Sequence, residues 1–348
     1  MVEWLAGNRI RGTNAERTST TGFNTVSGGW KELTRVTLGS TSTTMTTPTF
    51  TNKRYYKVLV HGIQSSGSVE TGLGINGINS GSPYASRLSV DGGTEQTGIN
   101  VNSIADGWFS DPNEYISEIN IANLAGKEKL IIGHTGGANT AGAGTAPKRM
   151  EWVGKFVPSP DVDVSSILIT GSGTFAVGSE IVVLGWDPED SHTTNFWEEL
   201  DDSSWSTGGS WTSGTFTSKK YLCVQFYTEG GAGSSYFRFN GDSGTNYANR
   251  YSINGGADST ITGQPESYLG AIDGLSFNNL FIINNASNEK LFKHNRVSRS
   301  TAGASNSPKR MESVGKWANT SNQITSITVT TAGGGNFTAG NMKVWGHD

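Results

Sequence analysis

Five histidines, His61, His134, His192, His294 and His347, are the strongest metal-ligand types in the chain. None stands in an HxH or HExxH spacing, so none is paired for zinc along one strand or helix. Asp187, Glu189, Asp190 and His192 gather oxygen ligands on one short stretch, and such a stretch can hold Ca²⁺. A carboxylate cluster alone does not make a calcium site, and this one contains a proline, so it reads as a polar linker. Asn240-Gly241-Asp242-Ser243-Gly244 has the look of a calcium loop but lacks the downstream bidentate glutamate. Cys223 is the only cysteine, which excludes an intrachain disulfide. No base neighbours it, so it reads as a small, buried or half-buried strand residue.

Paired carboxylates could do acid–base chemistry on a sugar, and Glu198, Glu199, Asp201 and Asp202 form a dense acidic run. No Gly-x-Ser-x-Gly elbow or phosphate loop accompanies it. The sequence therefore predicts no catalytic residue, no metal and no cofactor. Ten tryptophans could supply sugar-stacking surfaces. Trp30, Trp197, Trp317 and Trp345 fall at landmarks of an internal repeat and read as core. Trp108, Trp205 and Trp211 lie in loop-like surroundings and are the exposed interaction candidates.

These residues must be positioned by elements, and the elements are written twice. Pro147-Lys148-Arg149-Met150-Glu151 returns as Pro308-Lys309-Arg310-Met311-Glu312. Over 125–155 against 286–316, without a gap, 16 of 31 positions are identical, which is an internal duplication. Read as a strand, Met150, Trp152 and Phe156 share a core face, as do Met311 and Trp317. Arg149, Glu151, Val153 and Lys155, with Arg310, Glu312, Val314 and Lys316, share the other. That second face reads as a solvated surface, its alternative being a contact surface. The ionisable residues differ between copies: His134 aligns with Asn295, and Glu198-Glu199 with Lys31-Glu32.

Gly (47 residues), Ser, Thr and Asn carry the polar weight, and no segment sustains a 3.6-residue apolar period. Asp91-Gly92 and Asn254-Gly255 are hairpin signals at matching places. Two short helical turns are expected, at 197–200 and 103–108. The predicted fold is all-β: two tandem duplicated β-sandwiches, jelly-roll-like, preceded by an N-terminal arm. The expected division is an arm at 1–29, a first sandwich at 30–187, a linker at 188–196 and a second sandwich at 197–348. The arm is polar, with Trp4, Leu5, Ile10 and Arg11 as an anchor toward a partner.

Net charge is −4 with no basic face, so no nucleic-acid partner is expected. No apolar run approaches the ~20 residues that span a bilayer, and the N-terminus lacks a signal-peptide core. Gly7-Asn8-Arg9-Ile10-Arg11-Gly12-Thr13 with Glu16-Arg17, Trp30-Lys31-Glu32-Leu33, Lys53-Arg54-Tyr55-Tyr56, Thr140-Ala141-Gly142-Ala143-Gly144 with the Pro-Lys-Arg-Met-Glu motif, and Gly178-Ser179-Glu180-Ile181-Val182-Val183-Leu184-Gly185 together form a pattern. It resembles the β-sandwich virion structural proteins of tailed viruses, of head-decoration, vertex and tail-fibre type, particularly those of marine phages. The resemblance covers most of the chain and brings no active residues with it. It implies a non-enzymatic protein on the virion surface, made in the host cytoplasm. The expected partners are other virion proteins, through the arm, and further copies of the chain, with a trimer favoured. A host-surface glycan is the alternative partner, bound by a carbohydrate-binding or receptor-binding module.

Overall fold

Alternating apolar residues and glycine-rich turns produce strands throughout. The computed structural model describes residues 26–27, 29–66, 69–109, 114–160, 162–187, 191–192, 195–230, 233–272, 274–299, 307–333 and 335–348. Among them there is no helix, and so none long and apolar enough to cross a membrane. Trp4, Leu5, Ile10 and Arg11 lie outside the described residues.

The chain opens with a short β1 (Val26–Ser27). The first repeat then contributes β2 (Lys31–Thr37), β3 (Ser42–Thr46), β4 (Tyr55–Ser66), β5 (Val69–Ile75), β6 (Tyr84–Val90) and β7 (Gln96–Val101). It continues with β8 (Ile104–Phe109), β9 (Glu114–Ala122), β10 (Lys129–Gly137), β11 (Lys148–Phe156), β12 (Ile167–Phe175) and β13 (Glu180–Trp186). A second short strand, β14 (Ser191–His192), pairs with β1, so the end of the expected arm is tied to the expected linker. The second repeat runs through β15 (Glu198–Trp205), β16 (Ser210–Thr212), β17 (Tyr221–Gly230), β18 (Ser234–Phe239), β19 (Tyr247–Ile253) and β20 (Ser259–Gln264). It ends with β21 (Ser267–Ala271), β22 (Ser276–Ile282), β23 (Lys290–Ser298), β24 (Lys309–Trp317), β25 (Ile327–Ala332) and β26 (Phe337–His347). The helical turns expected at 103–108 and 197–200 are instead largely strand, in β8 and β15. Pairing with β5 and β26 decides the backbone there, overriding local preference.

Both repeats are jelly rolls. In the first, the antiparallel pairs β2·β13, β3·β12, β4·β9 and β5·β8 nest one inside the next. They form two layers, β2-β13-β4-β9 and β3-β12-β5-β8, joined into one sheet where the ends of β4 and β12 pair. The larger layer continues past β9 through β10, β11, β6 and β7. The second repeat has the same order, β15-β26-β17-β22-β23-β24-β19-β20 over β16-β25-β18-β21. The expected hairpin turns are present. Asp91, Gly92, Asn254 and Gly255 all have positive φ, as a two-residue primed turn requires. Asp91 and Asn254 each accept a hydrogen bond from the backbone N–H of their own repeat's motif arginine, Arg149 at 2.8 Å and Arg310 at 3.0 Å.

Each sandwich has its own apolar core. The first is built around Tyr56, Trp152, Phe156 and Phe175, and the second around Phe237, Phe239, Phe292 and Trp317. Met150 and Met311 are buried at matching places, as the strand reading predicts. Met150→Ala and Met311→Ala are each expected to cost roughly 2–5 kcal/mol, read by denaturant unfolding. Losses well below 1 kcal/mol at both would mean the strand faces are reversed.

A third apolar cluster lies between the repeats. Leu59, Ile116, Val182 and Leu184 of the first meet Tyr221, Phe281, Ile283 and Leu291 of the second, with Phe196 from the connecting segment. Strand β13 is buried on both faces. Ile181 and Val183 enter the first core while Val182 and Leu184 enter the seam, which explains its unbroken apolar run.

Candidate functional site

The face expected to be solvated is, over much of its area, this seam. Arg149 is buried, its side chain only 4% exposed. Its guanidinium holds Asp258 of the second repeat at 2.5 Å and also contacts Glu151 and Glu312. Val314 is 1% exposed and packs over Gly136, where an added Cβ would lie 3.1 Å from a Val314 methyl. Lys316 is buried and donates to the carbonyls of Ala138 (3.0 Å) and Thr140. The sequence reading assigned all three to water because their partners sit more than a hundred residues away, beyond the reach of local periodicity.

Other charged groups bind across the same seam. Glu118 lies between Lys57 of its own repeat and Lys293 of the other. Burial pushes its carboxyl up, but the ammonium groups of Lys293 and Lys57 outweigh this and hold it well below the usual range. Glu180 accepts from Thr37 (2.6 Å), Lys220 (2.9 Å) and Tyr221. Glu114 accepts from Asn284 (2.9 Å) and Asn288 and faces His61 at 3.2 Å. The seam is thus an apolar centre ringed by buried ion pairs.

At one end of the seam a groove of about 450 Å³ is lined by Arg87, Glu95, Arg149, Glu151, Arg310 and Glu312. Glu151 and Glu312, the same residue in the two copies, both lie against Arg149. Burial and the neighbouring Glu312 push Glu151 up to about 7, despite Arg149. Arg149 and Arg310 hold the two carboxylates (Arg310–Glu312 2.8 Å).

A second concavity distinguishes the repeats. In the first, a cleft of about 610 Å³ opens between β6 and the β8-β5-β12 sheet. Leu88, Val90 and Met150 form one wall, and Glu70, Ser103 and Thr170 belong to the other. Register equates Gly72, Ala105 and Leu88 with Tyr236, Tyr268 and Tyr251 of the second repeat. Those rings pack on one another, with centroids 5.5 and 5.1 Å apart. Arg296 stands where the first repeat has Thr135, and it donates to the carbonyls of Leu269 (3.2 Å) and Ala271. The matching cavity there is only about 120 Å³.

Among the aromatic candidates, Trp108 lies in β8 beside Glu70 of the open cleft, its side chain outside the described residues. Trp205 and Trp211 are not the free surface rings expected. They stack at 4.9 Å and 9°, and Trp211 packs on Phe337 in the second core. The strand pairs β15·β26 and β16·β25 bring them together, which their Gly/Ser-rich surroundings concealed. Cys223 is half-buried, and burial pushes its thiol up to about 12, unsuited to nucleophilic chemistry. His294 is fully buried in the second core, 3.1 Å from the Asn278 side-chain oxygen and 3.3 Å from the Ser313 hydroxyl. Among the described residues no three His, Cys, Asp or Glu side chains gather to hold a metal. Glu189 and Asp190 of the linker lie outside those residues.

No protein-family model matches the chain, and no curated protein matches it. Two of the solved structures that match show how faint the likeness is. Human GIVD cytosolic phospholipase A2 has 9% identity and a TM-score of 0.12 over 77% of this chain, which spans 33% of that protein. The two tandem C2 domains of extended-synaptotagmin 2 have 8% identity and a TM-score of 0.11, over 77% of this chain and 92% of that one. At these scores neither carries an argument about fold or function.

Proposed function

We propose that the chain is a non-enzymatic structural protein of a tailed virus, displayed on the particle exterior as capsid decoration, vertex spike or fibre. The observation that supports this best is the duplicated jelly roll whose buried charges are committed to joining the two copies. Arg149, Glu118, Glu180 and Lys316 each bind across the seam, as a rigid two-module building block requires. Jelly rolls serve as viral capsid domains and as lectins. In this reading residues 1–29 dock on other virion proteins, and the chain forms homo-oligomers. The test is to purify particles and label intact ones with an antibody to the chain. The expected result is stoichiometric, surface-accessible copies, lost when the chain is shortened to begin at Gly29. A chain found only free in the host would refute the proposal.

The open cleft favours a second reading, recognition of a host-surface glycan. Its apolar wall suits the C–H face of a sugar, and its polar wall suits hydroxyl groups. Ala105→Tyr, which copies Tyr268, should then abolish glycan binding while leaving the fold intact.

A further inference from the structure

The seam between the repeats is not symmetric, and its asymmetry leaves two faces uncovered. The second repeat docks with Leu291, Lys293 and Val314. Register equates these with Leu130, Ile132 and Val153 of the first repeat. Those residues are exposed, Ile132 at 62% and Val153 at 47%. Ile132 and Val153 are direct cross-strand partners, so they form one apolar patch. In the other direction, the first repeat docks with Ile116 on β9 and Gly136 on β10. Their counterparts in the second repeat are Phe277 and Val297. These two pair with each other, and Phe277 also pairs with Tyr227. Tyr227, Phe277 and Val297 are exposed, Phe277 at 46%, and make a second apolar patch.

Each chain therefore carries, unpaired, the counterpart of both halves of its own internal contact. The geometry points to head-to-tail self-association: the Leu130/Ile132/Val153 patch of one copy docks on the Tyr227/Phe277/Val297 patch of the next. Two features select a second copy as the occupant. The patches adjoin the established seam on the same sheet faces, and each is equivalent in register to a surface that already binds the other repeat. A contact between unlike patches is heterologous, so it propagates into a ring or a fibre. Val297 replaces Gly136, over which Val314 packs in the internal seam, so the contact between chains sits farther out. This proposal is independent of where on a particle the chain sits.

Sedimentation over a concentration series tests it. The full chain is expected to associate. Ile132→Glu and Phe277→Glu are each expected to raise the dissociation constant at least about tenfold, leaving monomers. An equimolar mixture of the two variants is expected to form a dimer and stop there, because each supplies the patch the other lacks. Thermal unfolding checks that each variant is folded. If glutamate disrupts the sheet, Ile132→Ser takes its place. A full chain that stays monomeric, a single variant that associates like the parent, or a mixture with no dimer would each overturn the proposal.

Discussion

Replacing Arg149 by alanine will destabilise the protein by roughly 3–5 kcal/mol, while the same change at Arg310 will cost under about 1 kcal/mol. The two arginines occupy the same position of the same motif, so intrinsic strand preference cannot separate them. Their surroundings do. The Asp258 carboxylate is 2% exposed and is held by Arg149 at 2.5 Å, with Glu151 and Glu312 close by. Without the guanidinium three acidic groups face one another at the seam, and the buried one has lost its main counter-ion. Desolvation, not the lost attraction alone, sets the size of the effect. Arg310 is 59% exposed and pairs with Glu312 in water, where an ion pair contributes little. Denaturant unfolding of both variants, with Asp258→Ala to complete a double-mutant cycle, gives the comparison. Equal losses at 149 and 310 would show that the seam does not bury this pair.

The contrast also marks where sequence reading stops. The fold was legible: the duplication, the Asp91-Gly92 and Asn254-Gly255 turns, and the buried methionines all follow from local pattern. The seam was half legible. Ile181-Val182-Val183-Leu184 and Phe281-Ile282-Ile283 do not alternate, and a strand without alternation is buried on both faces. The charged partners gave no such signal, because Arg149 and Arg310 read identically until the chain brings Asp258 to one and not the other. Trp205 and Trp211 were misread for a related reason. Glycine and serine around them suggested loops, whereas pairing with β26 and β25 stacks them over Phe337. The open cleft was invisible, since the exchange of Gly72, Ala105 and Leu88 for three tyrosines needs strand register to be seen. What was legible is what alternation and turns encode, and what was missed depends on contacts between distant strands.

Asp106 gives one component of the expected pH dependence of stability, beside Glu151, whose carboxyl is also shifted up. It occupies a β-bulge in β8, opposite the step from Thr71 to Gly72, where the second repeat has Leu269. Its side chain is fully buried in the first sandwich. One carboxylate oxygen accepts from Ser117 at 2.7 Å. Burial pushes its carboxyl up from 3.8 to about 6, only partly offset by that hydrogen bond. In the unfolded chain the group ionises near its ordinary value. Between about pH 4 and 6 the folded protein therefore holds the proton more tightly, and its stability falls as pH rises through this window. Above it the full cost applies, about 3 kcal/mol for a shift of this size. The seam carboxylates Glu114, Glu118 and Glu180 are shifted the other way, so their contribution is lost only at lower pH. Asp106→Asn removes the ionisable group but keeps an acceptor for Ser117. It should raise stability at pH 7 by about 2–3 kcal/mol and have little effect at pH 4. Asp106→Leu, copying the second repeat, should remove the same pH dependence while leaving the Ser117 hydroxyl to Thr135, 2.9 Å away. Unfolding curves at pH 4, 5, 6 and 7 for the parent and both variants provide the measurement. Parallel pH profiles would mean that Asp106 keeps an ordinary acidity in the fold, which its burial and single hydrogen bond argue against.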